Sequence, residues 1–182
     1  MAFGGLDYTN LERYLQSYGE YIVRQAGKVL KKRKQSGHLL STLDYTVYKD
    51  SKGRRTIRFF SAPYGEFIEK GVRGTEGRRT YINMQGQRRN SPYKYTNKMP
   101  PVDTLAQWVK AKGMKGRDAK GKFISHRSLA FAIAKKIQKK GIKATSHYTQ
   151  PISYSMKRFK KEMLQNFGKD VLKGIVLPFK ES

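Results

Sequence analysis

Apolar residues at steps of three and four predict a long helix near the start of the chain. The positions are Leu11, Tyr14, Leu15, Tyr18, Ile22, Ala26, Val29 and Leu30. This is the period of one helix face. Thr9 or Asn10 can cap its start, and the basic run Lys31 to Lys34 suits the negative end of the helix dipole. We expect Leu15, Ile22 and Val29 to form the core with the next element and with Phe159.

The pattern then changes to alternation and afterwards loses its period. Two alternating stretches, LDYTVY and RRTIRFF, flank KDSKG and predict a β-hairpin. Residues 70–100 have no apolar period, and glycines interrupt their arginines and tyrosines. They are predicted to form an extended basic excursion, an arm outside the core.

Three further helices are predicted in the second half. The first begins at Pro100 and Pro101 and ends at Gly113, where a basic loop at 113–123 follows. The apolar residues of the second share one face, the lysines lie mostly off it, and Gly141 ends it. Those apolar residues are Leu129, Ala130, Ile133, Ala134 and Ile137.

The last helix is predicted to end at Gly168, with a strand or extended segment after it. Its apolar side is formed by Ile152, Met156, Phe159, Met163 and Phe167. The order of elements predicts a single α+β domain over residues 1–182. In it, the long N-terminal helix packs on a small antiparallel sheet, and the other helices lie in the C-terminal half.

Charge is the dominant feature of the composition. Thirty-nine Lys and Arg against thirteen Asp and Glu give a net charge of +26. Residues 51–182 carry thirty-one of these cations and only eight acidic side chains. A field of this size must be matched by a polyanion such as nucleic acid, by acidic partner surfaces, or by solvation.

The basic segments supply the candidate contact residues. Arginine pairs alternate with tyrosines in the excursion, a composition that suits phosphates and unpaired bases. Glycine-spaced cations in the basic loop could follow a nucleic-acid backbone. The candidates are Arg78, Arg79, Arg88, Arg89, Lys115, Arg117, Lys120 and Lys122. Three interpretations stay open for them: contact with DNA, contact with acidic patches of partner subunits, or solvated loops.

The sequence predicts no catalytic residue, metal or cofactor. It contains no cysteine, and its three histidines lack the spacing of a helical metal pair. Glu66 and Glu69, followed by Lys70, come nearest to a nuclease site, but their spacing fits no nuclease motif. Without a signal peptide or an apolar membrane span, we expect a cytosol-like compartment and no membrane partner.

Three separated segments are KQSGHLLSTLDYTVY, APYGEFIEKGVRG and SHYTQPISYSMKRFKKEMLQNFGKDV. Together they resemble the tail-completion, or head–tail joining, proteins of tailed bacteriophages. KQSGHLLSTLDYTVY is similar to the glycine-containing step after the first helix of that family, and APYGEFIEKGVRG resembles its aromatic–glutamate–glycine segment. SHYTQPISYSMKRFKKEMLQNFGKDV resembles its closing helix. The matched structural residues are Gly37, Tyr64, Gly65, Phe67, Glu69, Gly71, Tyr148 and Pro151.

Residues 93–145 resemble a longer variant found in neck or virion proteins of large phages, including crAss-like ones. Gly65 replaces the usual alanine, Val72 replaces a common threonine, and Gln150 replaces a frequent arginine.

The resemblance implies a non-enzymatic virion protein that is assembled in the host cytoplasm and forms a homo-oligomeric ring in the neck or tail. Its implied partners are the portal or connector and tail proteins, with double-stranded genomic DNA as a further, non-specific candidate. The alternative is a free-standing, non-specific nucleic-acid-binding protein.

Overall fold

The structure is a computed structural model, and it describes residues 7–33, 37–51 and 53–176. Its fold is α+β, as the sequence predicts. The helices are α1 (Thr9–Lys32), α2 (His38–Ser41), α3 (Gly65–Lys70), α4 (Val102–Ala111), α5 (His126–Lys140) and α6 (Thr149–Val176). The strands are β1 (Asp44–Lys49), β2 (Arg55–Phe60), β3 (Val72–Arg73), β4 (Thr80–Ile82), β5 (Arg88–Asn90), β6 (Gly116–Arg117), β7 (Phe123–Ile124) and β8 (Gly141–Ile142).

The strands form antiparallel pairs, and the chain divides into two compact units. The pairs are β1–β2, β3–β8, β4–β5 and β6–β7. The first unit comprises Met1–Gly65, Asn83–Gln87 and His147–Ser182, and the second comprises Glu66–Ile82 and Arg88–Ser146. The single domain stays a prediction from the sequence.

The core of the first unit lies where α1 packs on α6 and on the β1–β2 hairpin. Tyr18, Ile22 and Ile152 are buried at its centre, with Phe159 packed against them. Leu15 is also buried, as the sequence predicts. Val29 is only half-buried.

Two tyrosines hold the β1–β2 hairpin in place. One packs against α1, and the other binds the end of the hairpin that lies opposite the turn. The Tyr45 ring lies directly over Gly19, so that a Cβ at position 19 would stand 2.9 Å from the Tyr45 Cγ and closer to other ring atoms. Asp44 and Phe60 are partners at the open end of the ladder. There the Tyr148 hydroxyl donates to the Phe60 carbonyl at 2.6 Å.

Helix α6 continues past Gly168 to Val176, so the predicted end at Gly168 is wrong. The cause is a contact distant in sequence: the Asp170 carboxylate, 1 % exposed, accepts hydrogen bonds from Asn10 N at 3.0 Å and Leu11 N at 2.9 Å. The Asn10 side chain donates a third bond at 2.7 Å. Asp170 thereby satisfies amides that the first turn of α1 leaves unpaired.

The predicted capping residue of α1 is wrong for the same reason. The residue at the N-cap position is Tyr8, which has no side-chain cap. Burial alone would raise the pKa of Asp170, but the hydrogen bonds from Leu11 and Asn10 outweigh it, so the pKa lies below its ordinary value. Asp170 is therefore ionised at neutral pH and fastens the two long helices together.

The second unit contains the pair α4 and α5, which pack on each other. Val109, Ala130 and Ala134 are fully buried. The Ser125 side chain caps α5 by accepting from Ser128 N at 3.1 Å. Gly141, with φ of 71°, ends α5 as the sequence predicts. The lysines at 135, 136, 139 and 140 are all exposed, so they form the solvent face of a packed helix.

Close approaches between backbones organise the rest of the second unit. Strand β3 pairs with β8 through Val72↔Ile142 and Arg73↔Gly141. A Cβ on Gly74 would overlap the Lys139 carbonyl, and one on Gly141 would stand 2.5 Å from Gly74 N. Strands of two or three residues are too short to show a period in the sequence. The prediction for residues 70–100 therefore contains no strands, whereas the structure has β3, β4 and β5 there.

Candidate interaction surfaces

The two predicted arginine pairs meet on one β-hairpin. Strand β4 pairs with β5 through Tyr81↔Arg89 and Ile82↔Arg88. Arg78, just before β4, is exposed, as are Arg88 and Arg89. Arg79 is half-buried, and its Nε is a buried donor without a hydrogen-bond partner among the described residues. The hairpin therefore joins the two pairs into one basic surface of the second unit.

The predicted basic loop at 113–123 is a turn with internal hydrogen bonds. The Asp118 carboxylate accepts from Lys120 N and Lys122 N, each at 2.9 Å. The Arg117 guanidinium lies 4.3 Å from the centre of the Phe123 ring, in cation–π geometry. The side chains at 115, 117, 120 and 122 are exposed, so the turn presents four cations to solvent.

Three of the residues matched in the resemblance are glycines at positions that disfavour other side chains. One is crowded by its neighbours, and two have a positive φ. Gly65 is buried, and a Cβ there would stand 3.2 Å from Leu39 Cδ1 and nearer still to Ser61. This crowding is a physical reason for glycine at position 65. Gly37 and Gly71 have φ of 98° and 68°, values that favour glycine.

The aromatic, acidic and proline members of the set differ in exposure. Tyr64 and Phe67 are both 44 % exposed, and the Phe67 ring lies 4.5 Å from that of Tyr93. Glu69 is buried, and its carbonyl accepts from Ser146 N at 3.0 Å. Pro151 is buried near the start of α6. Glu69 and Pro151 are thus buried in the fold, whereas Tyr64 and Phe67 are largely exposed, and the structural role of the set stays a prediction.

Two of the three residues that come nearest to a nuclease site, Glu66 and Lys70, form an ion pair. Lys70 Nζ lies 2.6 Å from Glu66 Oε1, one helical turn away. The bond to Lys70 lowers the pKa of Glu66, and the same bond raises the pKa of Lys70. Across the ranges that the structure describes, no group of three or more His, Cys, Asp or Glu side chains could hold a metal ion.

An apolar groove of about 590 Å³ opens in the first unit between α1, α6 and the β1–β2 hairpin. Its walls include Leu11, Met84, Met156, Met163 and Phe167. Methionine side chains adapt to irregular partners, which suits a surface that receives another apolar group. We call this the apolar groove.

Helix α6 also carries exposed apolar residues along its last three turns. Leu164, Leu172 and Ile175 are 62 %, 63 % and 54 % exposed, and Phe167 is 40 % exposed. Their spacing places Leu164, Leu172 and Ile175 on one side of the helix, with Phe167 at its edge. Leu164, Leu172 and Ile175 are called the α6 stripe, whereas Phe167 belongs to the wall of the apolar groove.

A second groove, of about 390 Å³, lies between the C-terminal half of α1 and the first turns of α6. It is lined by Tyr21, Gln25, Lys28, Val29, Lys32, Arg33, Gln150, Pro151 and Tyr154. We call it the basic groove. The sequence predicts only helix-end charge for its lysines, because its two walls are distant in sequence.

Two phenols of the first unit, half-buried Tyr14 and buried Tyr18, have raised pKa values. Burial, reinforced by the nearby Glu162 carboxylate, raises the pKa of Tyr14 to about 12. Burial also raises the pKa of Tyr18, whose hydroxyl lies 2.8 Å from Ser155 Oγ. Both groups stay protonated and serve as hydrogen-bonding members of the core.

Comparison of the chain with protein-family models, curated proteins and solved structures gave no match. Among the helices in the described ranges, none is both long and apolar enough to cross a membrane.

Proposed function

We propose that this chain is a non-enzymatic structural protein of a tailed-phage virion. In this proposal it forms a homo-oligomeric ring in the neck or tail, as a head–tail joining or tail-completion component. The resemblance in the sequence suggests the class of protein. The observation that carries the proposal is the α6 stripe, because it is a surface that needs a partner.

Apolar side chains in such numbers are costly to leave in water. Each large side chain that becomes fully buried contributes about 1.5–3 kcal/mol. Contiguous apolar patches on soluble proteins commonly mark contact sites. The α6 stripe lies at the end of a 28-residue helix, with Asp170 fixing that end to α1. The contact at Asp170 holds this part of α6 in place, and in this proposal the stripe is the surface that binds a partner.

The occupant of the α6 stripe in this proposal is a second copy of the chain. The same chain offers a receiving surface, the apolar groove, lined by Met84 and Met163. A contact between two different surfaces of identical subunits is heterologous, and such contacts close into rings when the rotation permits. One chain therefore supplies both halves of a ring interface.

The charge distribution supports a place close to DNA or to acidic neighbours. The second unit carries twenty Lys and Arg against five Asp and Glu. A diffuse positive surface attracts a passing phosphate backbone without reading its sequence. Portal and tail proteins are the other neighbours that the proposal requires.

The experiment is sedimentation velocity of the full chain over a range of concentrations. Wild-type protein is expected to associate, and the double variant Leu172→Gln/Ile175→Gln is expected to remain monomeric. The matched control, Gln165→Ala/Lys169→Ala, changes two exposed polar residues of the same helix and should associate like wild type. A wild-type monomer at every concentration, or equal association of the stripe variant, would count against the proposal.

A further inference from the structure

The basic groove differs in charge from two other polar grooves of the first unit. Three cations line it, Lys28, Lys32 and Arg33, with no carboxylate among its lining residues. By contrast, the groove beside Thr9 contains Glu12 and Glu20 with a single arginine. The groove around Tyr14 balances its two arginines with two glutamates.

Within the described ranges, the three cations of the basic groove, Lys28, Lys32 and Arg33, have no carboxylate partner. Arg158, near the groove around Tyr14, is instead 3.6 Å from Glu162. Unpaired cations that line one concave surface are able to bind the phosphates of a nucleic acid, because they release the counterions that those phosphates hold.

An aromatic ring is held in the open on the α6 wall of this groove. Tyr154 is 77 % exposed, yet Gln150 Nε2 donates to its hydroxyl at 3.0 Å. The ring is thus oriented while its surface stays in water. Half-buried Val29 on the α1 wall and buried Pro151 on the α6 wall add apolar lining that suits a base or sugar.

We propose that the basic groove binds an unpaired DNA strand, with its phosphates against Lys28, Lys32 and Arg33 and a base stacked on Tyr154. Stacking requires an unpaired base, which favours a single strand over a duplex. The site lies within one copy of the chain and requires neither a ring nor a virion. It therefore goes beyond the proposed function and can fail independently of it.

The first test is fluorescence anisotropy of the full chain with a labelled oligothymidylate and with a duplex. Tyr154→Ala should weaken oligothymidylate binding about 5- to 100-fold, as loss of one stacked base does. The duplex should lose much less affinity. Tyr154→Phe keeps the stacking face and should bind like wild type. Because Tyr154 is mostly exposed, these variants should fold normally, and thermal unfolding checks this.

The second test uses the salt dependence of binding. Lys28→Gln/Lys32→Gln/Arg33→Gln should reduce the slope of log affinity against log salt by about 2, from three lost phosphate contacts on a single strand. The matched control, Lys135→Gln/Lys136→Gln/Lys140→Gln, removes the same charge from the solvent face of α5 and should change the slope less. Equal slopes in the two triple variants, unchanged binding by Tyr154→Ala, or no binding by wild type at low salt would each overturn the proposal.

Discussion

The two units of this protein use different means to order the chain. In the first unit, helices of 24 and 28 residues bury large side chains such as Ile22 and Ile152. In the second, helices of 10 and 15 residues are accompanied by strands of two or three residues. Glycines there let backbones approach closely. The packing of the first unit depends on large buried apolar side chains. The packing of the second unit depends more on glycines, which leave room for close contact between backbones.

The largest expected effect is a cavity in the first unit. Ile22 is fully buried, so Ile22→Ala should lower the free energy of unfolding by about 2–5 kcal/mol. Val29→Ala is the control on the same helix and should cost less, because Val29 is half-buried. Denaturant unfolding followed by far-UV circular dichroism measures both. Equal stability of Ile22→Ala and wild type would mean that α1 is not core.

The next effect tests the second unit by adding an atom. In Gly74→Ala the new Cβ would overlap the Lys139 carbonyl, and overpacking of this kind costs about 1–3 kcal/mol. The single tryptophan, Trp108, lies in this unit, so its fluorescence should report the loss. If Gly74→Ala unfolds at the wild-type denaturant concentration, the close backbone approach is not essential.

The same contrast explains which parts of the fold are predictable from the sequence. Helix α5 is predicted with its buried face and its end at Gly141, because apolar period and stop signal agree. The β1–β2 hairpin is predicted because its alternating stretches agree with the turn signal KDSKG between them. Strands β3 and β8 are not, because pairing of Val72 with Ile142 depends on a contact between segments distant in sequence.

The candidate surfaces follow the same rule. The arginine pairs at 78–79 and 88–89 are visible in the sequence, and the structure adds that one hairpin joins them. The basic groove is not visible, because Lys28 and Tyr154 come together only when α1 packs on α6. Residues 169–176 are predicted incorrectly because the bonds to Asn10 and Leu11 that hold Asp170 have no local signal, and the part of that prediction beyond residue 176 lies outside the described residues.

A smaller effect tests that contact. Asp170→Ala should cost about 0.5–2 kcal/mol, the range for loss of a helix cap. Because the folded pKa of Asp170 is lowered, its contribution is present above the ordinary aspartate pKa of about 3.9 and is lost as the pH falls through the folded value. The stability difference between wild type and Asp170→Ala, measured by thermal unfolding, should therefore shrink in acid. A difference that is constant from neutral to strongly acid pH would contradict the role of the charge.

The smallest effect has the opposite sign. Gly168 lies inside α6, and a Cβ there would meet nothing within 4 Å. Gly168→Ala should therefore raise the free energy of unfolding by about 0.5–1 kcal/mol, through helix propensity alone. It is the matched counterpart of Gly74→Ala. A loss of stability in Gly168→Ala would show that this part of α6 is not a free helix surface.

The most direct test of the central claim is electron microscopy of the purified full chain in negative stain. The proposed virion role predicts closed rings with a central opening, which the variant Leu172→Gln/Ile175→Gln should fail to form. Only particles of the size of a single 21.0 kDa chain, for wild type and variant alike, would contradict the ring. Monomers that bind DNA would then favour the alternative of a free-standing nucleic-acid-binding protein.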